Sequence, residues 1–119
     1  MEPERARALL ERERERVLRE IEELRRQGGG DELADVDQHN ADAGTELFDQ
    51  ERDSSMIERL ESELDAIARA QKRLEEGKYG LSVESGKPIP DDRLEAVPHA
   101  ELTVEEQARL EAEDRNQRP

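Results

Sequence analysis

The chain has no cysteine and no tryptophan, one tyrosine (Tyr79), one phenylalanine (Phe48) and two histidines (His39 and His99). Without cysteine there is no disulfide, no thiolate metal ligand and no cysteine nucleophile, a composition compatible with a reducing cytosol. Hydrophobic residues make up 32 % of the 119 positions and aromatics 2 %. An ordinary globular core cannot be assembled from that inventory. No apolar run approaches the roughly 20 residues that span a bilayer. The first residues, MEPERARALLERERERV, carry no apolar stretch of the signal-peptide kind. These absences predict a soluble, cytoplasmic protein.

Charge is abundant instead. Charged residues are 44 % of the chain and the net charge is −14. Such a composition leaves two options: disorder, or long exposed helices that bury a narrow stripe. An acidic chain repels phosphate backbones, so direct binding to DNA is not expected. The basic residues lie among acids, as in ERERER and ERLESELD. They read as the solvated face of charged helices, with i,i+4 pairs worth a few tenths of a kcal/mol each.

Periodicity favours helices. From about Glu4 to Gln27, the residues Leu10, Val17, Ile21 and Leu24 recur on one stripe, with Ala6, Leu9 and Leu18 beside it and Arg14 at one seam position. Pro3 suits a first turn, and Gly28, Gly29 and Gly30 end the helix. After the acidic segment DELADVDQHN (31–40), a second helix is predicted from about Ala43 to Glu76. Its seam is Ile57, Leu60, Leu64, Ile67, Gln71 and Leu74, with spacing that alternates three and four, as in a coiled coil. Leu47 and Phe48 extend the apolar face, and Gly77 is a C-terminal stop. Two striped helices with a short connection predict an antiparallel hairpin. The second would be about 50 Å long, so part of it must pack elsewhere or stand alone.

From Lys78 to Leu102, Gly80, Gly86, Pro88, Pro90 and Pro98 break the chain into turns and short extended pieces. Ile89, Leu94 and Val97 are its main apolar groups. A final helix is predicted from Thr103 to about Asp114, with a frayed end after it. Thr103 and Glu106 have the spacing of a capping box.

The same stretch carries the spacing of a four-cysteine zinc finger, two C-x2-C pairs separated by about 15–20 residues. The four frame positions hold Ser82, Ser85, Thr103 and Glu106. The surrounding text, YGLSVESGKPIPDDRLEAVPHAELTVEEQ (79–107), resembles the C-terminal finger of the DksA/TraR family of bacterial transcription regulators. DQHNADAGTELFDQERD (37–53) is similar to the start of that family's second coiled-coil helix in Gram-positive members. The resemblance covers roughly 37–107, and the N-terminal helix matches in character.

Hydroxyls are poor zinc ligands at neutral pH, since zinc prefers thiolate, imidazole and carboxylate. Glu106 alone offers a carboxylate, and His99 is off the pattern. No zinc and no other cofactor is therefore expected. A structural zinc supplies about 10 kcal/mol or more of folding free energy, so its loss requires compensation. Candidates are the Ile89, Leu94 and Val97 cluster, contacts with the second helix, and hydrogen bonds from Ser82, Ser85 and Thr103.

The resemblance implies a function. Family members bind RNA polymerase at its secondary channel, insert the coiled coil, and act through acidic residues at its tip. The usual result is destabilised promoter open complexes, often together with the stringent-response nucleotide guanosine tetraphosphate. Here the tip lies near 28–42. Asp42 aligns with the acid at the start of the family's second helix, and Asp35 and Asp37 are further candidates. Two positions after Asp42 the family's usual alanine is Gly44, and His39 stands where better-studied members carry an acid. Lys87 and Arg93 are candidates for contact with the channel rim.

No enzyme is legible. His39 and His99 head no H-x3-H pattern, Ser82 and Ser85 lack a histidine base at a recognisable spacing, and Gly28–Gly30 precede no Lys-Ser/Thr. The expectation is an all-α chain: a coiled-coil hairpin (1–77), then a degenerate, zinc-free finger-like module with a terminal helix (78–119). It would be a monomeric regulator binding RNA polymerase. The alternative is a structural or adaptor coiled coil that self-associates or docks another helix through the Ile57 to Leu74 stripe.

Overall fold

The computed structural model describes the backbone of residues 1–27 and 43–117 and the side chains of 1–27 and 54–117. Asp35, Asp37, His39 and Asp42 lie outside the described residues, as do the side chains of Leu47 and Phe48. Four helices make up the described chain: α1 (Pro3–Gln27), α2 (Ala43–Glu75), α3 (Asp91–Ala96) and α4 (Val104–Gln117). The fold is all-α, an antiparallel coiled-coil hairpin followed by a small module.

The chain forms two compact units, one of residues 14–65 and one of residues 1–13 with 66–119. In the first, Val17 and Ile21 of α1 and Leu60 of α2 are buried. Arg16 pairs with Glu63 at 3.4 Å and Arg25 with Glu61 at 3.1 Å. Numbers rise along α1 as they fall along α2, which is the antiparallel register. Leu18, expected beside the stripe, is 39 % exposed. Arg14, expected at a seam position, is exposed. Nearby, Arg16 forms flanking ion pairs with Glu20 and Glu63.

In the second unit, α1 buries Ala6, Leu9 and Leu10, and α2 buries Ile67 and Ala70. Ala70 lies outside the expected seam. It is small enough to sit fully buried while Gln71, the expected seam residue, is half-buried. Residues 66–75 of α2 belong to this unit with the C-terminal segment, so the long helix has a partner there.

The C-terminal segment has the expected turns and a short paired piece, and adds the unexpected short helix α3. Leu81 and Pro88 form an isolated antiparallel bridge, and no strand occurs among the described residues. Ile89 N–H donates to Gly80 O at 2.8 Å, and Ser82 N–H to Lys87 O at 2.8 Å. Gly86 closes the turn at φ 77°, in the left-handed region where glycine has no Cβ penalty. Pro90, with φ −59°, then leads into α3, whose first turn carries Asp91 and Asp92 where the helix dipole favours acids. Six residues are too few to give a periodic signal. Leu94 of α3 packs with Ile89 and Ala100, and Met1, Tyr79 and Val97 close around them. Arg5 of α1 clamps Glu95 with two hydrogen bonds of 3.0 and 2.6 Å. α4 continues to Gln117, past the expected end near Asp114, and Arg115 in its last turn complements the dipole.

Candidate functional site: the finger frame

All four frame positions converge. Ser82 lies where the paired 80–82 segment enters its turn, and Ser85 lies within that turn. Thr103 and Glu106 lie at the start of α4, where Glu106 N–H donates to Thr103 Oγ1 at 3.2 Å and Thr103 N–H donates to Glu106 Oε1 at 3.0 Å. This reciprocal pair is the capping box that the sequence predicts.

The box is joined to the turn through the Glu106 carboxylate. The Ser82 hydroxyl donates to Oε1 at 2.6 Å and the Ser85 hydroxyl to Oε2 at 2.5 Å. Each serine oxygen also accepts from the backbone: Ser82 Oγ from the N–H groups of Glu84 (3.0 Å) and Ser85 (3.1 Å), and Ser85 Oγ from that of Lys87 (3.2 Å). Ser82 and Glu106 are the buried polar residues of the described chain, 5 % and 7 % exposed. Hydrogen bonds from Ser82, Ser85 and Thr103 favour the ionised carboxyl over the cost of burial. They bring its pKa down from 4.5 to about 2.

Around this knot the charges are paired. Arg109 of α4 pairs with Glu84. Arg69 holds Glu101 through Nε at 2.8 Å and Nη2 at 3.1 Å, and Arg73 adds a third bond at 3.3 Å. The Tyr79 hydroxyl donates to Pro98 O at 2.8 Å, and burial pushes its pKa up from 10.0 to about 12. Sequence reasoning does not single out Arg69, Arg73, Glu101 or Tyr79. The local signal for them is the i,i+4 spacing of the two arginines on α2.

Lys87 is exposed and lines an open cleft of about 500 Å³ with Ser85, Thr103 and Arg109. Arg93 is half-buried, donates through Nε to Leu102 O at 3.0 Å, and lines a separate cleft with His99, Val83 and Leu110. The two rim candidates therefore do not share a cleft.

Comparison with known proteins connects this geometry to a family. Residues 83–112 match the prokaryotic dksA/traR C4-type zinc finger. That description implies a zinc ion, and the residues present do not fit one. Three of the four positions are hydroxyls, two of which already donate to the fourth. Among the described residues no group of three or more His, Cys, Asp or Glu is placed to hold a metal.

General stress protein 16O of Bacillus subtilis is 42 % identical over 76 residues, 64 % of this chain and 47 % of that protein. The RNA polymerase-binding transcription factor DksA of Caulobacter vibrioides is 36 % identical over 84 residues, 71 % of this chain and 54 % of that protein. The chain thus spans about half the length of these curated relatives. The structure of transcription factor DksA2 from Pseudomonas aeruginosa is similar over 91 % of this chain and 87 % of that one, at 32 % identity and a TM-score of 0.57. Hairpin, finger frame and a likeness that runs through nearly all of a solved relative agree: the chain belongs to the DksA/TraR family.

Proposed function

We propose that the chain is a transcription regulator that binds RNA polymerase at the secondary channel and inserts its coiled-coil tip toward the active site to modulate promoter open complexes. The observation that carries this reading is the likeness to a DksA2 transcription factor over both the hairpin and the module. A relative that shares 84 aligned residues is named for binding RNA polymerase. In this reading the hairpin of residues 1–77 gives reach, and Asp35, Asp37 and Asp42 act at its tip. The module of residues 78–119 docks outside, with Lys87 and Arg93 meeting the rim from their separate clefts. Guanosine tetraphosphate is the co-effector to test. The chain is a regulator and not an enzyme, it works in the cytoplasm as a monomer without binding DNA itself, and it works without zinc. No helix among the described residues is long and apolar enough to cross a membrane.

The adaptor alternative needs the Ile57 to Leu74 stripe free for a partner. Leu60 and Ile67 on that stripe are already buried within the single chain, which favours the monomeric regulator.

The test is binding to purified bacterial RNA polymerase, with transcription from a ribosomal promoter read with and without guanosine tetraphosphate. The native chain should bind and shift transcription. A triple Asp35→Asn, Asp37→Asn, Asp42→Asn variant should bind without that shift. A native chain that fails to bind rejects the reading.

A further inference from the structure

We propose that the Glu106 carboxylate takes the place of the family's metal ion, cross-linking the 82–85 turn to the start of α4 through hydroxyl and amide donors. This rests on the zinc-free reading and goes beyond it, because it assigns the missing cross-link to one residue.

A structural metal works by drawing ligands from two chain segments onto one centre. Glu106 does so with the polarity reversed. An anion stands at the centre, and its donors come from Ser82 and Ser85, 24 and 21 residues away, and from Thr103 in its own capping box. Each serine oxygen is used twice, as acceptor of backbone N–H groups in the turn and as donor to the carboxylate. Such chained bonds strengthen one another in a buried setting. The carboxylate also lies in the first turn of α4, where the helix dipole favours negative charge.

The residue type is specific. Both serine hydroxyls and the Thr103 N–H are donors, so the centre must accept on both of its atoms. A carboxylate does, whereas an amide presents one acceptor and one donor. Glu106→Gln is nearly isosteric and still leaves either Ser82 or Ser85 facing an NH2 group.

Tyr79 makes the test local. It is the chain's only tyrosine, there is no tryptophan, and it packs on the module's apolar cluster. Its fluorescence therefore reports melting of the module rather than of the hairpin at large. The experiment is thermal melting of the full chain by Tyr79 fluorescence, with and without EDTA. Native protein, Ser82→Ala, Glu106→Gln and the double variant are compared. EDTA should not move the native transition, and a fall in EDTA would reject the zinc-free reading on which the inference stands. With EDTA silent, Glu106→Gln should lower the transition by about 5 °C or more. The double variant should fall by clearly less than the sum of the single falls, because both act through one bond. A Glu106→Gln transition equal to native, or strictly additive falls, overturns the assignment. If Glu106→Gln does not fold, Ser85→Ala serves in its place, and an unmoved transition there overturns it equally.

Discussion

Arg69 of α2 grips the Glu101 carboxylate with two nitrogens, Nε at 2.8 Å and Nη2 at 3.1 Å, across 32 residues of sequence. Arg73, one turn later and mostly buried, adds a third bond to the same carboxylate. Glu101 also presents its backbone oxygen to Val83 N–H at 2.9 Å. One residue thus ties α2 to the finger frame with both side chain and backbone. The hydrogen bonds and charge of Arg69, with Arg73 beside it, hold the Glu101 carboxyl below its ordinary pKa.

Glu101→Ala should therefore destabilise the chain by about 1–2 kcal/mol, above the median for exposed ion pairs, because it strands a mostly buried guanidinium. Urea unfolding followed by circular dichroism measures this. Arg69→Lys should recover only part of the native value, since a lysine cannot make the two-point contact.

Acid should act through Glu106. Its carboxyl is depressed from 4.5 to about 2, so its contribution is complete above about 4.5 and is lost as pH falls toward about 2. Glu84, Lys87, Glu105 and Arg109 line the same cleft, and Glu101 of the same unit is also held below its ordinary pKa, so comparison with Glu106→Gln isolates the Glu106 share. The Tyr79 melting transition of the native chain should be level from neutral pH to about 5 and fall below it. The Glu106→Gln variant should show a shallower fall.

Base should act through Tyr79. Burial raises its phenol from 10.0 to about 12, with Arg73 opposing and Asp91 and Glu95 assisting. A raised acid keeps its stabilising effect below pH 10 and loses it as pH rises through about 12. Absorbance at the tyrosinate band should show a midpoint near 12 in folded protein and near 10 in denaturant. A folded midpoint near 10 would mean that the phenol is not held against Pro98.

Core truncation should separate the two units. Leu94 is 2 % exposed and packs with Ile89 and Ala100, so Leu94→Ala should cost about 2–5 kcal/mol. The loss should appear first in the Tyr79 signal. Leu60→Ala in the unit of residues 14–65 should lower helix content with a smaller effect on Tyr79. Both are read from paired fluorescence and circular dichroism melts.

Local interactions are legible along the chain itself. α2 ends at Glu75, close to the Gly77 stop, while Gly28, Gly29 and Gly30 lie outside the described residues. The stripe residues Leu10, Val17, Ile21, Leu60 and Ile67 are buried as their spacing predicts. The Thr103–Glu106 box is made as its spacing predicts. Each signal arises among residues three or four apart, where helix geometry alone sets the neighbour.

Longer-range features were decided by packing. Nothing along the chain says that Ala100, Met1 and Tyr79 complete the Leu94 cluster, or that Arg69 meets Glu101. The frame spacing placed Ser82, Ser85, Thr103 and Glu106 as a set and left no thiolate among them. That the carboxylate becomes the acceptor at the centre, with both serine hydroxyls turned toward it, depends on the 82–86 turn closing against the first turn of α4. The sequence determined which donors and acceptors were available. The tertiary structure decided their pairing, because a hydrogen bond requires about 3 Å and alignment between residues more than twenty positions apart.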